Sequence, residues 1–435
     1  MTCNTLTEAE TTAGTRRASP GPCPCRAAAH AVLACCLFVS SAAAEDWPVY
    51  LGPRQNGTSA ETGLLLDWPP DGPPRVWNKR MGPSFSPPVV AGGRLLVAHR
   101  IDDEVIVECL EAATGKPRWE FRYPSRYADE FSYNGGPRSS PTIDGNRVYT
   151  YGAAGVLTCL DLATGEKVWQ RRLNAQLNAP KNFFGVGVPP IIEKDLILLN
   201  PGAPDGAGVV GVSKETGKTV WKAGDHGPSY STPVVYTIHG RRMAIFLTMN
   251  GLLIVEPATG KVLHDFPFRS PLYHSVNAAS PVVVDDVVFL SAAYSVGSIA
   301  LRVTPDKLTT VWRDKETFQN HWATSVYHDG HLYGTHGRHE KEAVMRCIDW
   351  KTGALRWSSP PGLGRTTFTM AQGHLLVMGE RGYLALVEVT PQRYVEKERV
   401  HLLDYPCWAP PVLANGLLYL RGERELLCLD LRAGK

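Results

Sequence analysis

Short apolar segments alternate with polar turns along most of the chain. The stretch CLDLATGEKVW at 159–169 is typical, because an apolar segment, a Thr-Gly turn and a second segment ending in tryptophan follow one another. Apolar and polar positions that alternate over such short lengths predict β-hairpins. Thr164 and Gly165 fall in the turn, where glycine readily adopts a positive φ. Asp161 is placed to accept backbone N–H bonds across the same turn.

This hairpin recurs along the chain. Related segments begin at residues 109, 211, 254, 347 and 428, and two weaker copies lie at 301–312 and 386–398, so that eight copies are present. Their spacing averages about 46 residues, a period typical of β-propeller blades. The predicted structural positions of the repeat are turn glycines, turn aspartates and outer-strand tryptophans. They are Gly115, Gly165, Gly217, Gly260, Gly353, Gly434, Asp161, Asp349, Asp430, Trp77, Trp119, Trp169, Trp221, Trp312 and Trp357.

A Ser/Thr-Pro-Val-Val type of segment precedes each hairpin, as at 86–99, 139–152 and 280–291, and the two elements together give four strands per unit. The eighth unit stops at the C-terminus before its outer strand, whereas an orphan strand, PRVWNKR at 74–80, precedes the first unit. We therefore predict an all-β fold. It is an eight-bladed β-propeller of four-stranded antiparallel blades over 74–435, with the ring closed by an N-terminal strand. Residues 45–73 form a leader that lies against it.

The N-terminal region predicts export. Arg16, Arg17 and Arg26 provide positive charge, and the apolar stretch that follows ends in small residues, so residues 1–44 are predicted to be a signal peptide cleaved after Ala44. An alternative is a lipoprotein cleavage at Cys35, which would leave a lipid anchor. The mature chain has no apolar run long enough to span a bilayer. We expect a location in the periplasm or cell envelope.

Charge and cysteine content narrow the function classes. The 45 basic and 42 acidic residues are spread along the chain without a basic run, so the sequence shows no positively charged segment of the kind that binds nucleic acid. Five cysteines remain after the predicted cleavage, an odd number that disfavours a disulfide framework. Four of them occupy one repeat slot and are predicted to be small core residues. The five are Cys109, Cys159, Cys347, Cys407 and Cys428.

The repeated pattern SPVV…G…CLDLATGEKVW resembles the pyrroloquinoline-quinone (PQQ) type of propeller repeat over about four-fifths of the chain. The stretch 46–77 looks like the leader of exported PQQ-like propellers of planctomycete-type bacteria. The resemblance implies two possible branches. One contains quinoprotein dehydrogenases that hold PQQ and calcium on the propeller axis, and the other contains non-enzymatic proteins such as the BamB-type assembly lipoproteins. The repeat by itself identifies the fold and does not separate these branches.

The enzymatic branch requires oxygen ligands for calcium and an aspartate base. The resemblance also implies an adjacent-cysteine disulfide against the quinone, but the one adjacent pair, Cys35 and Cys36, lies in the export signal. Asp129 and Glu130 are the best nearby carboxylates, although adjacent side chains on an extended strand point apart. We therefore predict no catalytic residue, no metal site and no cofactor, and keep a PQQ- and calcium-dependent oxidoreductase as the alternative.

Loops that join one blade to the next gather on one face of a propeller, where ligands usually bind. Their arginines can bind a carboxylate, their aromatic rings can stack on a planar or sugar ring, and their histidines are potential metal ligands. The candidates are Arg126, Tyr133, Asn134, Arg138, Asn182, Phe183, His226, Tyr230, His274, Asn277, His321, Trp322, Arg338, Arg365 and Trp408. We predict a non-catalytic binding or scaffold protein that engages a protein or envelope component through this face. A carbohydrate-binding propeller is a second alternative.

Overall fold

The computed structural model describes residues 14–15, 44–128, 130–131 and 133–434. Within them the chain forms eight four-stranded antiparallel sheets, which confirms the predicted eight-bladed propeller. The predicted signal peptide and the alternative cleavage site at Cys35 fall almost wholly outside the described residues. No helix in the part of the chain that the structure describes has both the length and the hydropathy needed to cross a membrane.

The blades follow one another along the chain, each running from an inner strand at the ring axis to an outer strand. Blades one to four contain β2 (Val89–Ala91), β3 (Arg94–Ile101), β4 (Glu104–Glu111), β5 (Pro117–Pro124); β6 (Thr142–Asp144), β7 (Arg147–Tyr151), β8 (Val156–Asp161), β9 (Lys167–Arg172); β10 (Ile191–Glu193), β11 (Leu196–Leu199), β12 (Val209–Ser213), β13 (Thr219–Ala223); and β14 (Val234–Ile238), β15 (Arg241–Leu247), β16 (Gly251–Val255), β17 (Val262–Pro267). A short helix, α1 (Leu173–Gln176), follows β9.

Blades five to eight complete the ring. They contain β18 (Val282–Val284), β19 (Val287–Ala292), β20 (Gly297–Val303), β21 (Leu308–Asp314); β22 (Val326–His328), β23 (His331–His336), β24 (Val344–Asp349), β25 (Leu355–Ser358); β26 (Thr366–Ala371), β27 (His374–Gly379), β28 (Tyr383–Glu388), β29 (Glu396–His401); and β30 (Val412–Ala414), β31 (Leu417–Arg421), β32 (Glu425–Asp430) with β1 (Arg75–Arg80). Strand β1 pairs antiparallel with β32, with Trp77 opposite Cys428, so the first strand of the chain is the outer strand of the last blade. This pairing closes the ring as predicted.

The antiparallel order gives the ring two different faces. Loops between blades, together with those joining the second and third strands of a blade, lie at one end of the strands, which we call the upper face. Turns joining the first to the second strand and the third to the fourth lie at the lower face.

Outer-strand tryptophans tie neighbouring blades together. The indole N–H of Trp169 in blade two donates to the carbonyl of Lys214 in blade three at 3.0 Å. Its ring also covers Gly217, where an added Cβ would lie 2.7 Å from the ring carbon Cε3. Trp77, Trp119, Trp221, Trp312 and Trp357 donate in the same way to carbonyls of the following blade. The turn glycine therefore provides both a positive φ and the space for a ring from the preceding blade.

Hydroxyl groups connect the inner strands around the axis. Ser86 donates to the carbonyl of Ser139 at 2.8 Å, Thr142 to that of Pro190 at 2.6 Å, and Thr369 to that of Pro411 at 2.6 Å. The inner strands are edge strands facing a narrow channel, and the prolines that precede them present no N–H there. Ser86 and Ser140, each directly before a proline, both donate across the boundary between blades one and two.

The core lies between adjacent blades and is made of aliphatic side chains from the middle strands. Five cysteines of the described residues are free and buried: Cys109, Cys159, Cys347, Cys407 and Cys428. Burial raises the pKa of Cys347 and Cys428 to about 12. These thiols therefore behave as small apolar core groups.

The segment 45–73, the leader, packs on the lower face. Trp47 exchanges two backbone hydrogen bonds of 2.8 Å with Val90 of blade one, and the carbonyl of Pro48 accepts the amide of Ile143 in blade two. Farther along, the leader reaches blade seven, where the amide of Met370 donates to the carbonyl of Gly57 at 2.8 Å. The leader thus crosses from one side of the ring to the other below the axis.

Candidate functional site

A cavity of about 210 Å³ lies on the ring axis. Residues from all eight blades line it, together with one residue of the leader. The lining consists of Tyr50, Phe85, Pro87, Tyr133, Arg138, Ser140, Phe184, Gly187, Pro189, Tyr230, Thr232, Val276, Ala278, His321, Trp322, Arg365, Trp408 and Pro410. Since the loops that lead into the inner strands converge at the axis, every blade contributes a side chain. The cavity is therefore a product of the closed ring rather than of one blade.

The floor of the cavity comes from the leader. Tyr50 reaches the axis from the segment that crosses the lower face, and it forms a side-chain hydrogen bond with Thr324 at the start of blade six. Burial raises the pKa of Tyr50 to about 12, so its hydroxyl is neutral at physiological pH. The cavity is accordingly reached from the upper face.

An arginine held by a buried glutamate forms one wall. Glu380 is fully buried, and both of its carboxylate oxygens accept hydrogen bonds from the Arg365 guanidinium. The guanidinium carbon lies 4.4 Å from the ring centroid of Trp322 and 5.6 Å from that of Trp408. Glu380 also accepts a hydrogen bond from the indole N–H of Trp408 at 3.3 Å. The carboxylate thus fixes both the cation and one of the rings it stacks against.

His321 lies beside this wall as a neutral imidazole. Burial, followed by the charges of Arg365 and Arg338, lowers the pKa of His321 to about 3. Its Nε2 is 3.1 Å from the hydroxyl of Tyr294, and the guanidinium of Arg338 lies 4.3 Å from the Tyr294 ring centroid. Tyr294 therefore connects Arg338 to the cavity without placing Arg338 in its lining.

On the opposite wall, Arg138 lies between two rings. Its guanidinium carbon is 5.7 Å from the ring centroid of Phe85 and 6.0 Å from that of Phe184, and its nitrogens donate to the carbonyls of Gly136 and Asn134. Two arginines and seven aromatic rings thus share one small space. The site combines positive charge with π surface.

Aromatic residues continue from the cavity to the outer rim of the upper face. We call Phe131, Tyr133, Phe183, Phe184, Tyr273 and His274 the rim patch. Ring centroids along it are separated by 4.8 Å for Tyr273 and His274, 5.4 Å for Phe183 and His274, and 5.2 Å for Phe131 and Phe184. Tyr133 joins the rim patch to the cavity through Trp408, at 5.5 Å. Tyr273 is 75% exposed, and Phe131 and Tyr133 are 45% and 47% exposed.

Seven of the fifteen predicted ligand-face residues line the cavity, namely Tyr133, Arg138, Tyr230, His321, Trp322, Arg365 and Trp408. Phe183 and His274 belong to the rim patch. Arg338 stacks on Tyr294, as described above. Arg126 is largely exposed, 3.5 Å from Asp103.

The other four predicted residues support loops instead of facing the cavity. Both ring nitrogens of His226 are engaged, by Thr248 at 2.7 Å and by Asp265 at 3.0 Å. Asn277 is buried and donates to two backbone carbonyls. Asn134 donates to Glu423, and Asn182 accepts the amide of Phe183. Asn277 and Asn182 thus satisfy backbone groups of irregular loops, whereas His226 and Asn134 bond to other side chains, and all four have structural roles.

Several residues of the site were not predicted. Phe85 precedes the first Ser/Thr-Pro segment, Phe184 directly follows the predicted Phe183, and Tyr50 comes from the leader. Glu380 lies in a β27–β28 loop, where only its pairing with Arg365 reveals its role. A count of aromatic residues near the Ser/Thr-Pro segments could have found Phe85, whereas Tyr50 required the path of the leader.

Comparison with known proteins places this architecture in a family. The family described as "Outer membrane protein assembly factor BamB" matches residues 130–359, just over half of the chain. The chain belongs to the BamB family of PQQ-like propellers. The outer membrane protein assembly factor BamB of Burkholderia pseudomallei (strain K96243) is 30% identical over 165 residues, which is 38% of this chain. The match spans about two-fifths of that relative's length, 39%.

Solved structures share the fold at low identity. BamB from Moraxella catarrhalis superposes with a TM-score of 0.61 and 15% identity, covering 82% of this chain and 99% of that one. The quinohemoprotein alcohol dehydrogenase from Comamonas testosteroni gives a TM-score of 0.65 at 11% identity, covering 91% and 82%. Both BamB-type and quinoprotein architectures are thus similar to this chain, and at these identities they show the fold alone.

A calcium ion does not fit the lining of the cavity. Calcium takes six to eight oxygen ligands, mostly from carboxylates and carbonyls. Among the described lining residues none is Asp or Glu, and the nearby Glu380 is already bonded to Arg365. The described residues bring no three His, Cys, Asp or Glu side chains together as a metal site. Asp129, one of the two carboxylates considered for calcium, lies outside the described residues.

Proposed function

We propose that this chain is an exported, non-catalytic scaffold protein of the outer-membrane assembly type, which binds a protein partner through its upper face. Membership in the BamB family supports this class of function. The observation that carries the proposal is the rim patch, in which clustered aromatic rings remain exposed on the loop-rich face.

The composition of the rim patch suits a protein partner. Exposed apolar clusters mark interaction surfaces, and tyrosine and phenylalanine are enriched in the cores of such interfaces. Tyr273 and His274 lie in the loop that joins blade four to blade five. Phe131 lies in the loop between blades one and two, and Phe183 and Phe184 lie in the loop between blades two and three. Because three loops meet, the surface is assembled from several blades rather than from a single segment.

A carbohydrate ligand is less well supported. Sugar binding through stacking requires flat ring faces that are open to solvent. In the cavity, the Trp322 ring is covered by the Arg365 guanidinium, and the Trp408 ring lies 4.4 Å from the Phe85 ring. These two indole faces of the cavity are thus engaged with a cation and with another ring.

Position-specific photo-crosslinking in the cell envelope tests the partner site. A photoreactive residue at position 273 should give discrete crosslinks to one or a few envelope proteins. The matched control is position 220, since Val220 is also exposed, at 58%, but lies on outer strand β13 away from the upper face. A Phe131→Ala, Tyr273→Ala double variant should weaken the purified complex by about tenfold or more. Crosslinks at position 220 but not at 273 would contradict the proposed face.

A thermal-shift measurement tests the absence of a quinone cofactor. The melting temperature of the 45–435 protein should not change with PQQ plus calcium at saturating concentration. A ligand that binds the folded state raises the melting temperature in proportion to the logarithm of its concentration. A concentration-dependent rise would therefore overturn the non-catalytic assignment and call for oxidation assays with alcohols and sugars.

A further inference from the structure

Glu61 is a buried carboxylate in the leader. It is 2% exposed, and Oε1 accepts hydrogen bonds from the backbone amides of Asn415 at 2.6 Å and Glu45 at 3.3 Å, while Oε2 accepts the amide of Gly416 at 2.7 Å. Burial holds the pKa of Glu61 above its usual value, although the hydrogen bonds from the three amides act to lower it. A carboxylate removed from water is stable only when donors or a counter-charge compensate for its lost hydration.

Both the side chain and the backbone carbonyl of Glu45 form hydrogen bonds that fix its position. Its carboxylate forms a two-pronged ion pair with Arg54, at 2.6 and 2.8 Å, and accepts the amide of Ala60 at 2.9 Å. Its own carbonyl accepts a second contact from the amide of Asn415 at 3.2 Å. The backbone nitrogen of residue 45 is therefore held at Glu61 by three anchors that do not involve residues before 45.

Asp46 continues this anchoring. Its carboxylate accepts the side-chain amide of Asn415 at 2.9 Å and the backbone amide of Gly92 at 3.0 Å. Asn415 occupies a lower-face turn of blade eight, which contains the ring closure, and Gly92 occupies one of the adjacent blade one. Among the described residues 44–73, the hydrogen bonds from the leader to the ring begin at residue 45.

The sequence changes character at the same point. Ala42, Ala43 and Ala44 are small residues of the kind that precede export-signal cleavage, and the next residue is Glu45. From the coincidence of this boundary with the anchored nitrogen, and building on the exported location proposed above, we infer that the chain is cut between Ala44 and Glu45 and that Glu61 is the receptor for the new α-ammonium group.

The cut is a peptide hydrolysis. Water adds across the Ala44–Glu45 bond, leaving a carboxylate on Ala44 and an amine on Glu45 that takes up a proton. Before the cut, Glu61 faces a neutral amide at 3.3 Å; afterwards it faces a cation at the same place. Capture of a terminal amine by a buried carboxylate lowers the pKa of the acid and raises that of the amine. Processing thereby completes the attachment of the leader, which also carries Tyr50 to the cavity floor.

The first test is the intact mass of the protein recovered from the cell envelope. A mature N-terminus at Glu45 supports the inference, whereas a lipid-modified N-terminus at Cys35 or any other start overturns it. The rim-patch crosslinks are independent of this result. Loss of the crosslinks with a Glu45 start would remove the proposed binding function alone, and a Cys35 start with intact crosslinks would remove the amine capture alone.

The second test measures the amine itself. The 45–435 protein, released from a fusion cut directly before Glu45, is compared with its Glu61→Gln variant and with an Asp67→Asn control, which removes an exposed leader carboxylate. Acylation of the α-amine near pH 7 should be about tenfold slower in wild type and control than in Glu61→Gln, because a pKa raised by about one unit leaves tenfold less neutral amine. Equal rates in all three proteins would overturn the inference.

Two further forms keep the test valid if Glu61→Gln folds poorly. Retaining Ala44 moves the cation one residue away from Glu61, and acetylating the α-amine of Glu45 removes the cation, while Glu61 stays intact in both forms. Both forms should melt about 2 °C or more below the free-amine protein. Identical melting temperatures across the three forms would contradict the captured ammonium.

Discussion

The contact between Trp169 and Gly217 allows a quantitative test of how blades are joined. Replacing Gly217 by alanine adds a Cβ at φ +68, and that atom would lie 2.7 Å from the Trp169 ring. A left-handed backbone costs about 1–2 kcal/mol for an alanine, and overpacking a close contact costs about 1–3 kcal/mol more. We therefore expect Gly217→Ala to destabilise the protein by about 2–5 kcal/mol in total.

Gly240 separates the two contributions. It has φ +74, but nothing lies within 4 Å of where its Cβ would be. Gly240→Ala should therefore show the backbone cost alone, about 1–2 kcal/mol. The Trp169→Ala variant removes the ring and its hydrogen bond to Lys214, and should cost about 3–5 kcal/mol.

A double-mutant cycle then isolates the contact. In the Trp169→Ala background, Gly217→Ala should cost no more than Gly240→Ala, so the coupling energy is about 1–3 kcal/mol with a sign that favours the double variant. Urea unfolding followed by far-ultraviolet circular dichroism measures all four proteins and the Gly240→Ala control. The reasoning fails if Gly217→Ala and Gly240→Ala cost the same in the wild-type background, or if removing Trp169 leaves the Gly217→Ala cost unchanged.

Two further predictions concern buried titratable groups. Burial, together with Arg365 and Arg338, lowers the pKa of His321 to about 3 in the folded protein from about 6.5 in the unfolded chain, so the unfolded state binds the extra proton and the free energy of unfolding falls as pH drops from 6.5 towards 3. A His321→Gln variant should lose less stability across that range in urea titrations. An unchanged dependence on pH would contradict the buried neutral imidazole. The thiols of Cys159 and Cys347, with pKa values raised by burial to about 11 and about 12, should not react with a disulfide reagent at pH 8 until the protein is denatured, and rapid labelling of the native protein would show that these thiols are accessible.

The blade architecture could be predicted from the sequence because its determinants are local and repeated. Each hairpin contains its own turn residues. The last blade lacked an outer strand in the sequence, and the unpaired N-terminal strand with Trp77 could supply it. What the sequence did not show was the second reason for the turn glycines. That reason is a ring from the preceding blade, about one repeat earlier in the chain, and a pattern read within one hairpin does not contain it.

The site was harder to predict because it is assembled from single residues in many loops. Polar and aromatic character placed Arg365 and Trp408 on the correct face, but the same criterion selected His226 and Asn277, whose polar groups bond to neighbouring elements of the ring. Tyr50 reaches the axis through the path of the leader, which has no repeat partner to indicate its position. Loop residues carry little periodic information, so only the fold shows which of them converge.

The leader connects ring closure, the cavity and processing. Residues 45–73 precede β1 directly, so the segment that supplies the floor at Tyr50 is continuous with the strand that closes the last blade against β32. Glu45 and Asp46 attach that segment to a turn of blade eight, which contains the closure, and Asp46 also attaches it to a turn of the adjacent blade one. A cavity that needs all eight blades and the leader cannot form before the ring closes. Variation in the leader should therefore alter the cavity floor and the stability of the closure together, while variation in the rim patch should alter partner binding and leave both unchanged.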